Sequence, residues 1–327
     1  MLNPDTIHFV SGFFCTFAKN RAIPLHKFRK LNNLIVKDMK RLILSLALLA
    51  GSMTAMHAQL LYKVSATAKN DSTSQERPSY IVASCPLINP MGTITQTAGV
   101  KEALYQTDQI CFEVNKGAYA SAIADAKKLD GGKKLLSLLT PTQQAKLNAF
   151  LKKHMEVDFR SSYVQKKYGD LTPAALLEDL GQLLFVANHL GEYDPTHTFD
   201  QYFEAQAKAN NEPVISLSDA DAYIATTYKS DLKQQTARLV AFLENENTEL
   251  GKMDKAVDAY GAQDLDAVTN ATGAYADKAT LQAWAAKVAT IMAEKPTLFV
   301  IDAANLGGEG GLLQQLRQAG MTVEGMK

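Results

Sequence analysis

Between residues 60 and 327, runs able to form β-strands gather near the two ends and leave a long helical stretch between them. At the start, Leu60-Leu61-Tyr62-Lys63-Val64-Ser65 alternates, and Ser79–Cys85 and Gln109–Val114 are short apolar runs. At the end come Thr297–Ile301 and, after Gly320, Met321-Thr322-Val323. Only Val214–Leu217 reads as a strand in the middle. Elsewhere helices are expected. Thr140-Pro141 and Thr172-Pro173 each put a capping hydroxyl before a proline at the first helical position. Tyr119–Leu129, Asp200–Ala209, Asp219–Glu246 and Thr280–Glu294 carry helical spacing, and Leu312–Gln318 follows a Gly-rich turn. A sheet made from such a chain has to draw strands from both ends. The expectation is therefore an α/β fold with a mixed central sheet, flanking helices and a long helical middle. Residues 59–327 are expected to form a single domain with a helical insertion at about 117–294, since no Pro/Ser/Gly linker divides them and no period of about 20–50 residues repeats.

Charge is balanced overall, with 34 Lys+Arg and 34 Asp+Glu, so no basic excess points to nucleic acid. The balance is uneven along the chain. Eight of the basic residues but only Asp5 and Asp38 among the acids precede residue 59, leaving 26 basic and 32 acidic residues in the remainder. Met39-Lys40-Arg41, the apolar run Leu42–Ala50 and the small residues up to Ala58 have the layout of a secretory signal peptide over 39–58. The apolar run is too short to span a bilayer core of about 30 Å, so no permanent membrane span is expected. Residues 1–38 then read as an over-extended start of translation, with Met39 the initiator, and a genuine N-terminal extension is the other reading. Cleavage near Ala58 would export the protein to the periplasm or outside the cell.

Of three cysteines, Cys85 and Cys111 lie beyond the leader. In an oxidising compartment a cross-strand disulfide between them is one reading, and two buried free thiols the other. The segment from Asp302 to Gly311 (DAANLGGEGG) joins a strand to a helix, where backbone amides can cradle an anion, but it carries neither G-x-x-x-x-G-K-[ST] nor G-x-G-x-x-G. His189, Glu192, Asp194 and His197 have ligand-like spacing but straddle Gly191 and Pro195, which favours a solvated loop. Ser84 lacks the G-x-S-x-G elbow. His154 reads as an exposed helix end, where a cation suits the dipole.

Several segments together resemble the TraB/GumN family, to which the Tiki-type metalloproteases are related. Leu60–Ser65 is similar to that family's opening LLWKISG strand, and Pro78-Ser79-Tyr80-Ile81-Val82-Ala83-Ser84-Cys85-Pro86 to its P-S-Y-L-x-G-T-x-H. Cys111-Phe112-Glu113-Val114 matches its v-f-E-v strand. Leu298–Leu313 and Leu316–Val323 resemble its closing F-V-x-V-G-A-x-H-L-x-G-x-x-G-L-L and L-R-x-x-G-Y-x-V. The resemblance implies an EreA/ChaN-like architecture and a divalent metal held by two Gly-x-x-His motifs, completed by acidic and Arg-Asn positions.

Here the chain departs from that pattern. Ala83 and Pro86 stand at the Gly and His of the first motif, and Asp302 and Asn305 at those of the second. Thr280 and Leu281 occupy the Arg-Asn positions, and Ser218 stands where the family has Glu. Glu113 alone is intact. Proline has no side-chain donor or acceptor, and a neutral amide is a poor substitute for imidazole at a transition-metal site. No metal, no cofactor and no catalytic residue are therefore expected. The leading expectation is an exported pseudoenzyme that binds a peptide, a small ligand or a protein partner in the former cleft. One alternative is an active hydrolase or protease rewired around Glu113, Asp302 or the His189–His197 loop. Another is a structural or adhesive protein.

Overall fold

The computed structural model describes residues 59–66, 77–190 and 193–326. The expectations for residues 1–58 and for Glu192 fall outside them.

Six strands form one mixed sheet: β1 (Leu61–Ala66), β2 (Ser79–Ser84), β3 (Gln109–Phe112), β4 (Val214–Ser216), β5 (Thr297–Asp302) and β6 (Met321–Gly325). Their order is β4-β3-β5-β2-β1-β6. β2, β3, β4 and β5 are parallel, while β1 pairs antiparallel with β2 and with β6. The sequence explains which strands lie where. β2 (SYIVAS), β3 (QICF) and β5 (TLFVID) are almost wholly buried, as parallel strands covered on both faces must be. β1 and β6 keep partly or fully exposed polar residues such as Lys63, Thr322 and Glu324, which suits the antiparallel margin.

Fourteen α-helices lie among the described residues, and those used below are numbered with them in chain order. Around the sheet pack α7 (Phe199–Asn210), α10 (Glu246–Gly261), α11 (Leu265–Thr272), α12 (Lys278–Glu294) and α14 (Leu312–Gln318). α12 presents Leu281, Trp284, Ala285 and Val288, spaced to face one side, and all are buried in the sheet core. A second core is mainly helical. It joins Leu147, Phe150 and Leu151 of α4 (Pro141–Met155), Leu176, Leu180 and Leu184 of α6 (Pro173–Asn188), and Leu239 and Phe242 of α9 (Leu232–Glu244).

Helix starts follow the capping residues. Thr140 forms a capping box with Gln143, and the Thr172 hydroxyl accepts from Ala175 N at 3.2 Å. The helix expected over 219–246 is instead two, α8 (Ala220–Thr227) and α9. Tyr228 is buried at the break, and the Asp231 carboxylate caps α9 by accepting from Gln234 N at 2.8 Å.

The disulfide reading is overturned: Cys85 and Cys111 are free and buried. β5 lies between their strands, so the two chains are about 9–10 Å apart. Cys111 is also level with Phe299, whereas Ser84, just before Cys85, is level with Asp302. A disulfide needs Cα atoms within about 7 Å. His154 also differs from expectation. Its ring is buried against Phe150, 4.5 Å between centroids, and its Nε2 lies 2.8 Å from Glu246 Oε1 at the start of α10.

Candidate functional site

The carboxyl ends of the four parallel strands share one edge of the sheet, the place where open α/β sheets bind ligands. Each strand delivers a position matched to the family's motifs there: Ala83 and Pro86 around the end of β2, Glu113 just past β3, Ser218 just past β4, and Asp302 at the end of β5. Ser84 and Asp302 are register partners. Asn305 sits one helical turn on, in the four-residue α13 (Ala303–Leu306), which Asp302 starts by accepting from Ala304 N at 2.9 Å.

Glu113 is the centre of the arrangement. Its Oε1 accepts from Asp302 N at 3.0 Å and from Asn305 Nδ2 at 2.8 Å. Asn305, 1% exposed, uses the other half of its amide as well: Oδ1 accepts from Tyr275 N at 2.9 Å and from Ala276 N at 3.0 Å. The amide thus ties the end of β3 to the loop between α11 and α12. The remaining positions are laced in the same way. Tyr260 donates to the Ala83 carbonyl at 2.7 Å, and Tyr193 to the Pro86 carbonyl at 2.6 Å. Ser218 N donates to the Glu113 carbonyl at 2.8 Å, while its hydroxyl accepts from Trp284 Nε1 at 2.8 Å. Leu281 is buried in the sheet core, and Thr280 N donates to the Asp277 cap of α12.

Burial raises the pKa of Glu113, opposed by the hydrogen bonds from Asn305 and Asp302 N. Burial and then the neighbouring Glu113 charge raise Asp302. Because Glu113 receives two donors at one oxygen, it is the better-stabilised carboxylate of the pair, and Asp302 the one that keeps a proton. Two further charges act on both. Lys116 lowers them and Asp200, itself raised by burial, opposes it.

The Gly-rich segment is not an anion cradle. Gly308 N donates to Asp266 Oδ1 at 2.7 Å, Gly310 N to Gln314 Oε1 at 2.5 Å and Gly311 N to Gly308 O at 3.2 Å. Gly307 is required for close packing: a Cβ there would meet Leu265 O at 2.3 Å. Among the described residues of the His189–His197 loop no ligand set is assembled either. His197 pairs locally with Asp194, Nδ1 to Oδ2 at 2.7 Å, and His189 lies 3.2 Å from Asp254 on α10.

The metal implied by the resemblance does not fit these residues. Imidazole is absent from both motif positions, the Asn305 amide is spent at both ends, and Pro86 offers a carbonyl already bonded to Tyr193. Among the described residues no group of three His, Cys, Asp or Glu side chains is arranged to hold a metal ion. Sequence reading missed Tyr260, Tyr275, Lys116 and Asp200. Asp200 was hidden because an acid in a helix first turn is ordinary, and Tyr260 because its partner is 177 residues away.

No match is found among curated proteins or among solved structures. The family model for TraB/PrgY/gumN matches residues 68–325, from the polar connection after β1 to the end of β6. That span holds the whole carboxyl edge of the sheet, and the chain belongs to the TraB/PrgY/gumN family.

Proposed function

We propose that this is an exported member of the family that has lost metal-dependent catalysis and uses the carboxyl edge of its sheet to bind a peptide, a small ligand or a protein partner. One observation carries the reading: the residue at the second motif histidine, Asn305, is a buried, doubly engaged structural amide holding Glu113. A side chain with both ends committed has no electron pair to spare for a metal. Export, to the periplasm or beyond, is supported by the Met39–Ala58 leader. The two thiols suit an oxidising compartment because burial pushes both Cys85 and Cys111 up to about 12, which keeps them as unreactive thiols.

A second reading is favoured by the Glu113–Asp302 pair. Two carboxyl groups on adjacent strand ends, one stabilised as carboxylate and one holding a proton, are the arrangement acid–base hydrolysis uses. Incubation with fluorogenic peptide mixtures, with and without manganese, separates the two. The proposal expects no turnover above the Glu113→Ala variant. Metal-independent turnover abolished by Glu113→Ala would replace it with the rewired hydrolase.

A further inference from the structure

We infer that Gln59 is a covalent modification site: with its amino group freed by removal of the leader after Ala58, it closes on its own side chain and the chain begins with pyroglutamate. The inference rests on the export reading above, since only that cleavage makes Gln59 the first residue. The ring closure balances within one residue. The α-amino nitrogen attacks Cδ of the side-chain amide, so the N–Cδ bond forms and the Cδ–Nε2 bond breaks. Nε2 leaves as ammonia and carries off one amino proton. No oxidant, reductant or second reactant is needed. A neutral lactam replaces a charged amine and an amide.

The structure gives this residue an uncommon place for the start of a chain. First residues are ordinarily loose and hydrated unless something ties them down. Gln59 is 7% exposed, and the residues after it join the sheet at once: Leu60 O accepts from Ala83 N at 2.8 Å, and Leu61 O from Met326 N at 2.9 Å. The Gln59 side chain lies on Gly325 of β6, with its Oε1 in the space that a Cβ at 325 would fill. The missing side chain of Gly325 is therefore what makes the seat.

An α-ammonium is poorly placed here. Leu60, Leu61 and Tyr62 follow it and are all buried in the sheet core, so the chain start leads straight into apolar surroundings. A charge held at that point loses hydration, which is costly without a close partner. Cyclisation removes the charge. It also keeps Cβ, Cγ, Cδ and Oε1, so the lactam is built from the same atoms that occupy the seat on Gly325.

The experiment starts from the full chain, expressed with its own leader in an exporting bacterium and purified at neutral pH. Intact-mass and tandem mass spectrometry, with Edman sequencing, read the first residue. We expect a chain that begins at residue 59, is lighter by one ammonia and is blocked to Edman chemistry. Gln59→Asn, whose side chain is too short to close the same ring, should keep a free amine. A chain that begins at Gln59 with a free amine overturns the inference and leaves export standing. A chain that retains its leader, or is cut elsewhere, overturns the export reading and this inference with it. The seat has a readout of its own. Pyroglutamyl aminopeptidase should remove the first residue from the folded protein at least about tenfold more slowly than from a pyroglutamyl peptide of residues 59–66. Folded Gly325→Ala should move the rate toward that of the peptide. Equal rates for folded wild type and peptide would overturn the buried seat.

Discussion

Asn305 and Asp302, which stand where the family resemblance expects motif residues, are both bonded into the scaffold. Asn305 bonds to Glu113 and to the consecutive residues Tyr275 and Ala276, groups from two separate segments, and Asp302 caps α13 while donating its own amide to Glu113. The proton held by Asp302 has a consequence for stability. A carboxyl whose folded pKa lies above its unfolded value near 4 binds more protons when folded, so stability falls as pH rises through that window. Asp302→Asn keeps the oxygen that accepts from Ala304 N and removes the titration. Its unfolding free energy is expected to match wild type near pH 4 and to exceed it by at least about 2 kcal/mol at pH 8. Thermal unfolding at the two pH values checks this, and an equal difference at both would refute it. That Glu113 stands at a motif position was legible from the family resemblance. The bonds that hold it were not, because Asn305 and Asp302 lie 192 and 189 residues away in sequence.

Among the elements, those announced by local chemistry were legible and those decided by tertiary contacts were not. Thr140-Pro141 and Thr172-Pro173 start α4 and α6 as their capping chemistry dictates. The break between α8 and α9 was missed because helical spacing continues across it. What holds the break is Gln235, 2% exposed, whose Oε1 accepts from Ala174 N at 3.1 Å and whose Nε2 donates to Tyr228 O at 3.1 Å and Ser230 O at 3.0 Å. Gln235→Leu would orphan an amide at the start of α6 and two carbonyls at the break, at a cost of about 2–3 kcal/mol. The neighbouring exposed Gln234→Leu should change stability by less than about 0.5 kcal/mol. Urea denaturation of the two variants makes the comparison, and equal midpoints would show that Gln235 does not hold the break. His154 was misread for a similar reason: Glu246, which draws it into the interior, lies 92 residues on.

At the scale of the whole molecule, the sequence was enough for a sheet drawn mostly from both ends, since all the strand runs but Val214–Leu217 gather there. It was not enough for strand order. Placing β5 between β2 and β3 separates Cys85 from Cys111 and sets Asp302 beside both Ser84 and Glu113, and no local pattern encodes that pairing. No helix among the described residues is long and apolar enough to cross a membrane. The family fold persists over residues 68–325 while the carboxyl edge of its sheet is bonded to itself rather than open to an ion. The most direct test of that claim is the metal content of the protein purified without chelator, followed by thermal unfolding with added manganese, cobalt or zinc. The account predicts well under one metal per chain and no upward shift in Tm, since an ion that binds only the folded state must raise it. One tightly held metal per chain, with a Tm that climbs with metal concentration, would contradict it.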